Sequence, residues 1–434
     1  MKLSYRHKWY HFIWRWLYSL VLLALSPIFL IKLFSKKADS SSLEWHKNRQ
    51  RFGIYPKNFK PNGLLIHCVS MGEVNAAEGV VRGLIKSHPS IPITLTCTSI
   101  TGAQQAVRLY GNLVQHAFLP IDFPLFNHLM LTRLQPKGLI ITEVEVWPNL
   151  VHQCYVHKIP KILINARMTS RSLTNYKKLA FLYRPTLRKF DAICAQGQLD
   201  FENFINLGVY KRQLHLSNNL KFDLTASVED EGKANMFAET FGVENRTVLL
   251  GASTHEGEEK ALLKVFKKLK CTHDDLLLIL VPRYPHRFEE VAILVNAMGF
   301  QSTTVSAKNT EKHNDVIVVD QMGMLKAMYR VSTLCFVGGS LVDRGGHNPL
   351  EAALYHVPIC MGPSTFNNPL IVSALTKAQA LDIVNDEDSL FNSLDTLLND
   401  LIEAQARGEK GHKVIESNAG ATQKTLAIIE ESIA

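Results

Sequence analysis

The chain has 434 residues, too many for one ordinary domain, so two domains of about 150–200 residues are the default. Hydrophobic residues make up 46% and charged residues 20%, which excludes a disordered chain and gives cores large enough to need no staples. The 48 Lys and Arg against 39 Asp and Glu leave a formal +9, a balance suited to an anionic partner: a phosphate-bearing ligand, a nucleic acid or an acidic lipid.

The first element in chain order is WLYSLVLLALSPIFLIKLF, 16–34, almost wholly apolar and close to the roughly 20 residues that cross a bilayer. Trp9, Tyr10, Trp14, Trp16 and Tyr18 resemble an interfacial belt. The basic, polar KLFSKKADSSS follows with no small-residue cleavage site, so residues 1–40 are expected to be a retained membrane-anchor helix, spanning or lying in the interface. Basic residues on both sides (Lys2, Arg6, Lys8, Arg15; Lys36, Lys37) do not choose an orientation.

Short apolar runs then alternate with helical patterns. They fall at 64–70, 93–99, 116–120, 138–143, 161–166 and 192–196, and again at 247–253, 276–282, 315–320, 334–340 and 357–363. Runs this short and rich in Ile, Leu and Val, spaced by helical stretches, predict buried parallel strands in an α/β chain. The polar stretch 217–235 is the expected linker, giving domains at 41–222 and 223–434, two Rossmann-like halves facing a cleft. Neither G-x-G-x-x-G after the first strand nor G-x-x-x-x-G-K-[ST] is present, which disfavours NAD and P-loop chemistry. The seven cysteines are scattered, without a CxxC pair, and read as reduced core residues.

The segments that carry chemistry sit where strands end. HCVSMGEVNAAE places Glu73 between a strand and a helix, as a first-turn helix stabiliser or as a functional acid at a strand terminus. TEVEVWPNL offers Glu143 and Glu145, which period 2 would put on one face of a sheet, with Arg167 and Arg171 of NARMTSRS as possible ion-pair partners. Lys221 falls at the domain junction. In the second half, VPRYPHRF sets Arg283 after a strand, DQMGMLKAMY has Gly323 opening a helix, and VGGSLVDRGGHNPLEAA ends a strand on two glycines before Asn348, Pro349 and Glu351. A guanidinium and free helix N–H groups at such places suit a phosphate. No metal is expected: HEGEE, 255–259, misses H-E-x-x-H, and Asp386-Glu387-Asp388 reads better as an N-cap with first-turn acids.

In order, HCVSMGEVNAAE, TSITGAQQA, LPIDFP, TEVEVWPNL, INARMTSRS, NLKFD, STHEGEE, LVPRYPHRF, VGGSLVDRGGHNPLEAA and MGPSTFNN resemble the 3-deoxy-D-manno-oct-2-ulosonic acid (Kdo) transferases of Gram-negative bacteria, from about residue 45 to beyond 370. The resemblance implies a membrane-associated GT-B glycosyltransferase moving Kdo from CMP-Kdo to a lipid A precursor, lipid IVA, by inversion and without metal or cofactor. It would act at the inner membrane, with its catalytic domains on the cytoplasmic face. It implies Glu73 as general base and Glu143 and Lys221 as transition-state stabilisers. It implies donor contacts at Pro282 and Arg283, at Met322, Gly323 and Met324, and at Asn348, Pro349, Leu350 and Glu351. One departure is Met324, where the family usually has Glu. Because a ketosidic centre ionises toward an oxocarbenium-like state, a Glu73 carboxylate near its normal pKa would suffice. Two rival classes remain: a nucleotide-sugar epimerase of GT-B fold, which needs no lipid, and a non-catalytic membrane-anchored binding protein. The latter leaves the acids at 73, 143 and 145 unexplained. A nucleic-acid partner is disfavoured because interleaved aromatic and basic stacking motifs are absent.

Overall fold

The computed structural model describes residues 9–35, 49–244, 246–307 and 314–433. Lys2, Arg6, Lys8, Lys36 and Lys37 lie outside the described residues. The chain forms two compact units, residues 1–223 with 420–434, and residues 224–419.

The first unit is built on a seven-stranded sheet: β1 (Leu64–Cys68), β2 (Ile93–Cys97), β3 (Gln115–Phe118), β4 (Gly138–Thr142), β5 (Lys161–Ala166), β6 (Ala192–Ala195) and β7 (Leu214–Leu216). Every pairing is parallel, in the order β3-β2-β1-β4-β5-β6-β7. Alternate residues feed two cores, Leu65, Leu139, Ile141 and Leu163 on one face and Leu64, Ile66, Ile140 and Ile162 on the other. Covering both faces is what makes these strands continuous Ile/Leu/Val runs, each large side chain stabilising the unit by roughly 1.5–3 kcal/mol. The second unit repeats the plan with β8 (Val248–Thr254), β9 (Leu277–Pro282), β10 (Ser302–Thr304), β11 (Val316–Val318), β12 (Leu334–Val337), β13 (Ile359–Met361) and β14 (Leu381–Ile383), ordered β10-β11-β9-β8-β12-β13-β14. In each sheet the winding direction reverses once, between β1 and β4 and between β8 and β12. Those reversals are where open α/β sheets leave room for ligands.

The division of the chain and its first helix depart from the sequence reading in three ways. The stretch expected as a linker crosses between units at Asp223 and then becomes the helix Val228–Phe241, whose start is capped by Ser227 accepting the Asp230 N–H at 3.0 Å. Its first-turn Glu229, Asp230 and Glu231 complement the helix dipole, which explains a polarity that resembled a linker. Residues 420–434, assigned by sequence to the second domain, belong to the first unit. There Ala421 and Ile429 of the helix Ala421–Ile433 complete a core, and Asp223 accepts the Gly420 N–H at 2.7 Å and the Thr422 N–H.

The third concerns the expected anchor. α1 (Trp9–Ser35) is helical, but among the described residues no helix is long and apolar enough to cross a membrane. One side of α1 is seated on the first unit: the Trp14 ring lies 4.2 Å from that of Phe181, and Arg15 and Ser19 are buried. The other side exposes Phe12, Ile13, Trp16, Leu17, Leu20 and Val21.

Candidate active site

The first unit's reversal point collects acids around one lysine. After β1 the chain turns through Ser70, the N-cap residue of α2 (Met71–Ala76), and Glu73 stands in that helix's first turn, only 7% exposed. One carboxylate oxygen accepts the Val69 N–H at 2.8 Å and the Thr142 hydroxyl at 2.6 Å; the Ser70 hydroxyl lies 3.3 Å from the other. Burial pushes the Glu73 carboxyl up to about 7, against the hydrogen bonds from Thr142 and Val69 and with help from the nearby charges of Glu143 and Glu145. That lies above the ordinary carboxylate range, which would already suffice for a base here. An acid serving only the helix dipole would be held low, whereas this one is poised to exchange a proton near neutrality.

Glu143 and Glu145 are not strand residues, which overturns the period-2 argument. β4 ends at Thr142, and Glu143 turns the chain with a φ of 55°, a conformation costing of order 1–3 kcal/mol in a non-glycine residue. Its N–H is fastened to the Ile164 carbonyl at 2.9 Å, and Tyr176 donates to the Val144 carbonyl at 3.2 Å. Burial, then the neighbouring Glu143, raises the Glu145 carboxyl. Lys221 sits in the turn Leu220–Phe222, fixed by Asn219 accepting the Lys221 N–H at 3.0 Å and Asn165 accepting the Leu220 N–H at 3.1 Å. Burial lowers the Lys221 ammonium, Glu143 raises it, Arg167 lowers it and Glu73 raises it. The structure thus brings together Glu73, Glu143, Lys221 and Arg167; Arg171 is exposed.

The second unit gathers cations at its own reversal point. Arg283 follows β9 with its N–H on the Thr254 carbonyl at 3.0 Å, and Pro282 is the buried end of the strand. Burial, then Arg283 and His255, depresses His347 to about 3, and the rings of His255 and His347 lie parallel within 8° with their Nε2 atoms 2.9 Å apart. Burial lifts the Glu351 carboxyl while Lys326 and Arg283 pull it down. Arg283, Lys326, His347 and Glu351 therefore share one electrostatic neighbourhood. Gly323 does not open a helix: it turns with a φ of 83°, and the helix Leu325–Arg330 begins after Met324. Met322 is exposed and Met324 half-buried. Pro349 is the N-cap residue of the helix Leu350–Leu354, Asn348 accepts the Leu350 N–H at 3.2 Å, and Leu350 is fully buried, leaving only its backbone to offer.

Sequence reasoning passed over Glu258, dismissed with the failed metal motif. Its buried carboxylate accepts four backbone N–H groups, from His255 at 2.9 Å, Gly339 at 2.7 Å, Ser340 at 2.9 Å and Leu341 at 3.0 Å. It ties the loop after β8 to the glycine loop after β12. Gly338 is required there, since a Cβ would lie 2.6 Å from the Ser253 carbonyl oxygen. Asp386 is the N-cap of the helix Glu387–Asn399, accepting the Ser389 N–H at 2.8 Å, and Glu387 and Asp388 pair with Lys264 and Lys268.

A family model described as 3-deoxy-D-manno-octulosonic-acid transferase (kdotransferase) matches residues 46–224. The Haemophilus influenzae 3-deoxy-D-manno-octulosonic acid transferase is 35% identical over 423 residues, 96% of this chain and 98% of that protein. The protein of that name from Bordetella pertussis is 31% identical, covering 84% of this chain and 86% of its own length. Among solved structures, the UDP-GlcNAc 2-epimerase from Neisseria meningitidis bound to UDP-GlcNAc superposes with a TM-score of 0.59 over 85% of this chain and 100% of its own. At 13% identity that likeness shows the fold alone, two parallel α/β units consistent with GT-B.

Proposed function

The chain belongs to the 3-deoxy-D-manno-octulosonic acid (Kdo) transferase family and is a glycosyltransferase; from that premise we propose that it moves Kdo from CMP-Kdo to a lipid A precursor, lipid IVA, in lipopolysaccharide core biosynthesis. The observation that carries the reading is the buried Glu73, poised near neutrality beside Lys221 and Glu143 at the β1/β4 reversal. Glu73 accepts the proton of the attacking lipid hydroxyl as the oxygen bonds to the anomeric carbon. The bond from that carbon to the CMP phosphate oxygen breaks, and its electron pair leaves with CMP. We assign Lys221 and Glu143 to the charge that develops on the sugar, and Arg283 and Lys326 to that on the phosphate. One displacement, with no sugar bound covalently to the enzyme, inverts the anomeric centre. The backbone at Gly323 and Met324 can meet the nucleotide without the acid usual at 324.

Incubation with CMP-Kdo, with and without lipid IVA, tests the reading. Acceptor-dependent release of CMP and a Kdo mass increment on the lipid support it; turnover of the donor without lipid would favour an epimerase, and no turnover a binding protein. Because Arg283 and Lys326 can neutralise a phosphate in place of a divalent ion, transfer is expected to persist in excess EDTA, and loss restored by Mg²⁺ would contradict metal independence. Arg283→Ala should raise the donor KM by ten-fold or more, an Arg–phosphate fork being worth roughly 1.5–3 kcal/mol. An unchanged donor KM in steady-state kinetics would remove Arg283 from the site. The exposed apolar side of α1 suits insertion into the cytoplasmic leaflet of the inner membrane, where acceptor acyl chains and cytosolic donor meet.

A further inference from the structure

We propose that α1 is more than a tether: through Asp122 and Asn149 it holds the loop Glu143–Trp147 in its strained conformation, so that transfer depends on α1 even when no membrane is present. The inference rests on Glu73 being the base. The loop spans from the end of β4 to the start of α3 (Pro148–Val156), whose N-cap residue, Trp147, makes no side-chain cap. Asp122, 3% exposed and remote in sequence, supplies that cap. Its two carboxylate oxygens accept the Asn149 N–H at 2.9 Å and the Leu150 N–H at 2.8 Å. Asn127 donates to the same carboxylate at 2.7 Å, and the half-buried Tyr18 hydroxyl of α1 helps to keep that carboxylate charged.

Asn149, fully buried, is the second junction. Its Nδ2 donates to the Asp122 carbonyl at 2.7 Å and lies 3.0 Å from the Ser19 hydroxyl, while its Oδ1 accepts from Arg15 Nη1 at 3.0 Å. Arg15, Tyr18 and Ser19 are spaced i, i+3, i+4, one face of α1. A polar bridge thus runs from α1 to the first turn of α3, at one end of the loop. At the other end Glu143 keeps its φ of 55° only because its surroundings hold it. A tether would need an apolar outer face; it would not need two buried polar side chains, Arg15 and Ser19, on Asn149 and a half-buried Tyr18 beside Asp122 at the root of an acidic loop.

The coupling has a signature that a purely structural defect lacks. Facing Glu73 are Cys68 on β1, Cys97 on β2, Glu143 and Glu145 on the loop, and Lys221 on its turn. If the loop relaxes, the two acids withdraw and Glu73 loses neighbours that favour its protonated form. The acid limb of the pH–rate profile then moves to lower pH as kcat falls.

The test uses the full-length protein in detergent, with CMP-Kdo and detergent-dispersed lipid IVA, comparing wild type with Asp122→Asn, Tyr18→Phe and Glu73→Gln. Asp122→Asn is expected to lower kcat ten-fold or more, keep the donor KM within two-fold and shift the acid limb downward. Tyr18→Phe, which removes one hydroxyl and leaves α3 its cap, should do the same more weakly, by about two- to five-fold, and decides the matter if Asp122→Asn does not fold. Wild-type kcat with an unmoved acid limb in folded Tyr18→Phe, and in Asp122→Asn where it folds, overturns the proposal. Activity retained by Glu73→Gln would instead strike the base assignment, so the two failures are distinguishable.

Discussion

Glu73→Gln is expected to lower kcat by about 10²–10⁴-fold, the range for removing a general base, with the donor KM little changed. The substitution keeps shape and one acceptor oxygen, so the Val69 N–H, which Glu73 accepts at 2.8 Å, can still be satisfied and the protein should fold. What disappears is the ability to take a proton. In the wild type only the deprotonated acid works as a base, and burial has raised it to about 7, so kcat should climb with pH through neutrality. Glu143→Gln removes a neighbouring negative charge, which should move that climb to lower pH. Steady-state rates from pH 5 to 9 for the three proteins provide the check. Near-wild-type transfer by stable Glu73→Gln would refute the base role.

The other large effect is expected in stability. Glu258→Gln should destabilise the second unit by about 3 kcal/mol, because hydrogen bonds to a charged acceptor contribute roughly 1.5–3 kcal/mol and the losses do not simply add. A carboxylate can accept all four N–H groups from His255, Gly339, Ser340 and Leu341. An amide has one acceptor oxygen, and its NH₂ would be turned toward donors. The loop after β12 should loosen, and Gly338 and Gly339 with it, so CMP is expected to bind ten-fold or more weakly by calorimetry. Thermal melting at the wild-type temperature with wild-type CMP affinity would show that the four-fold cap is not what holds the loop.

The parts of this molecule legible in sequence are those whose cause is local. Eleven of the fourteen strands among the described residues are expected from apolar runs, because burial on both faces leaves a pattern in the strand itself. β7, β10 and β14 left none: all lie at sheet edges, three residues long and partly exposed, so their residues need not be apolar. Glu73 was conspicuous because an acid directly after a strand and a glycine is a local oddity. Its elevated pKa was not legible, since that comes first from burial in the folded unit and then from the charges of Glu143 and Glu145 about 70 residues away. Nor was the seat of α1: Arg15 and Ser19 sit in or beside an apolar run, and only Asn149 across the sequence explains their burial. Glu258 was illegible for the same reason, three of its four partners lying some 80 residues downstream.

The return of the helix Ala421–Ile433 to the first unit orders the molecule in time. On the ribosome, residues 1–223 emerge first, yet the layer over β5 and β6 stays open until Ala421 and Ile429 are made. Residues 224–419 are contiguous and can fold while translation continues. The unit begun first is therefore finished last. The late helix packs against the turn Leu220–Phe222, where Leu220 shares its core and Lys221 faces the acids. A nascent chain stopped before residue 420 would carry every side chain proposed for the site but leave the turn under Lys221 unsupported, so activity is expected only from chains read through to that helix.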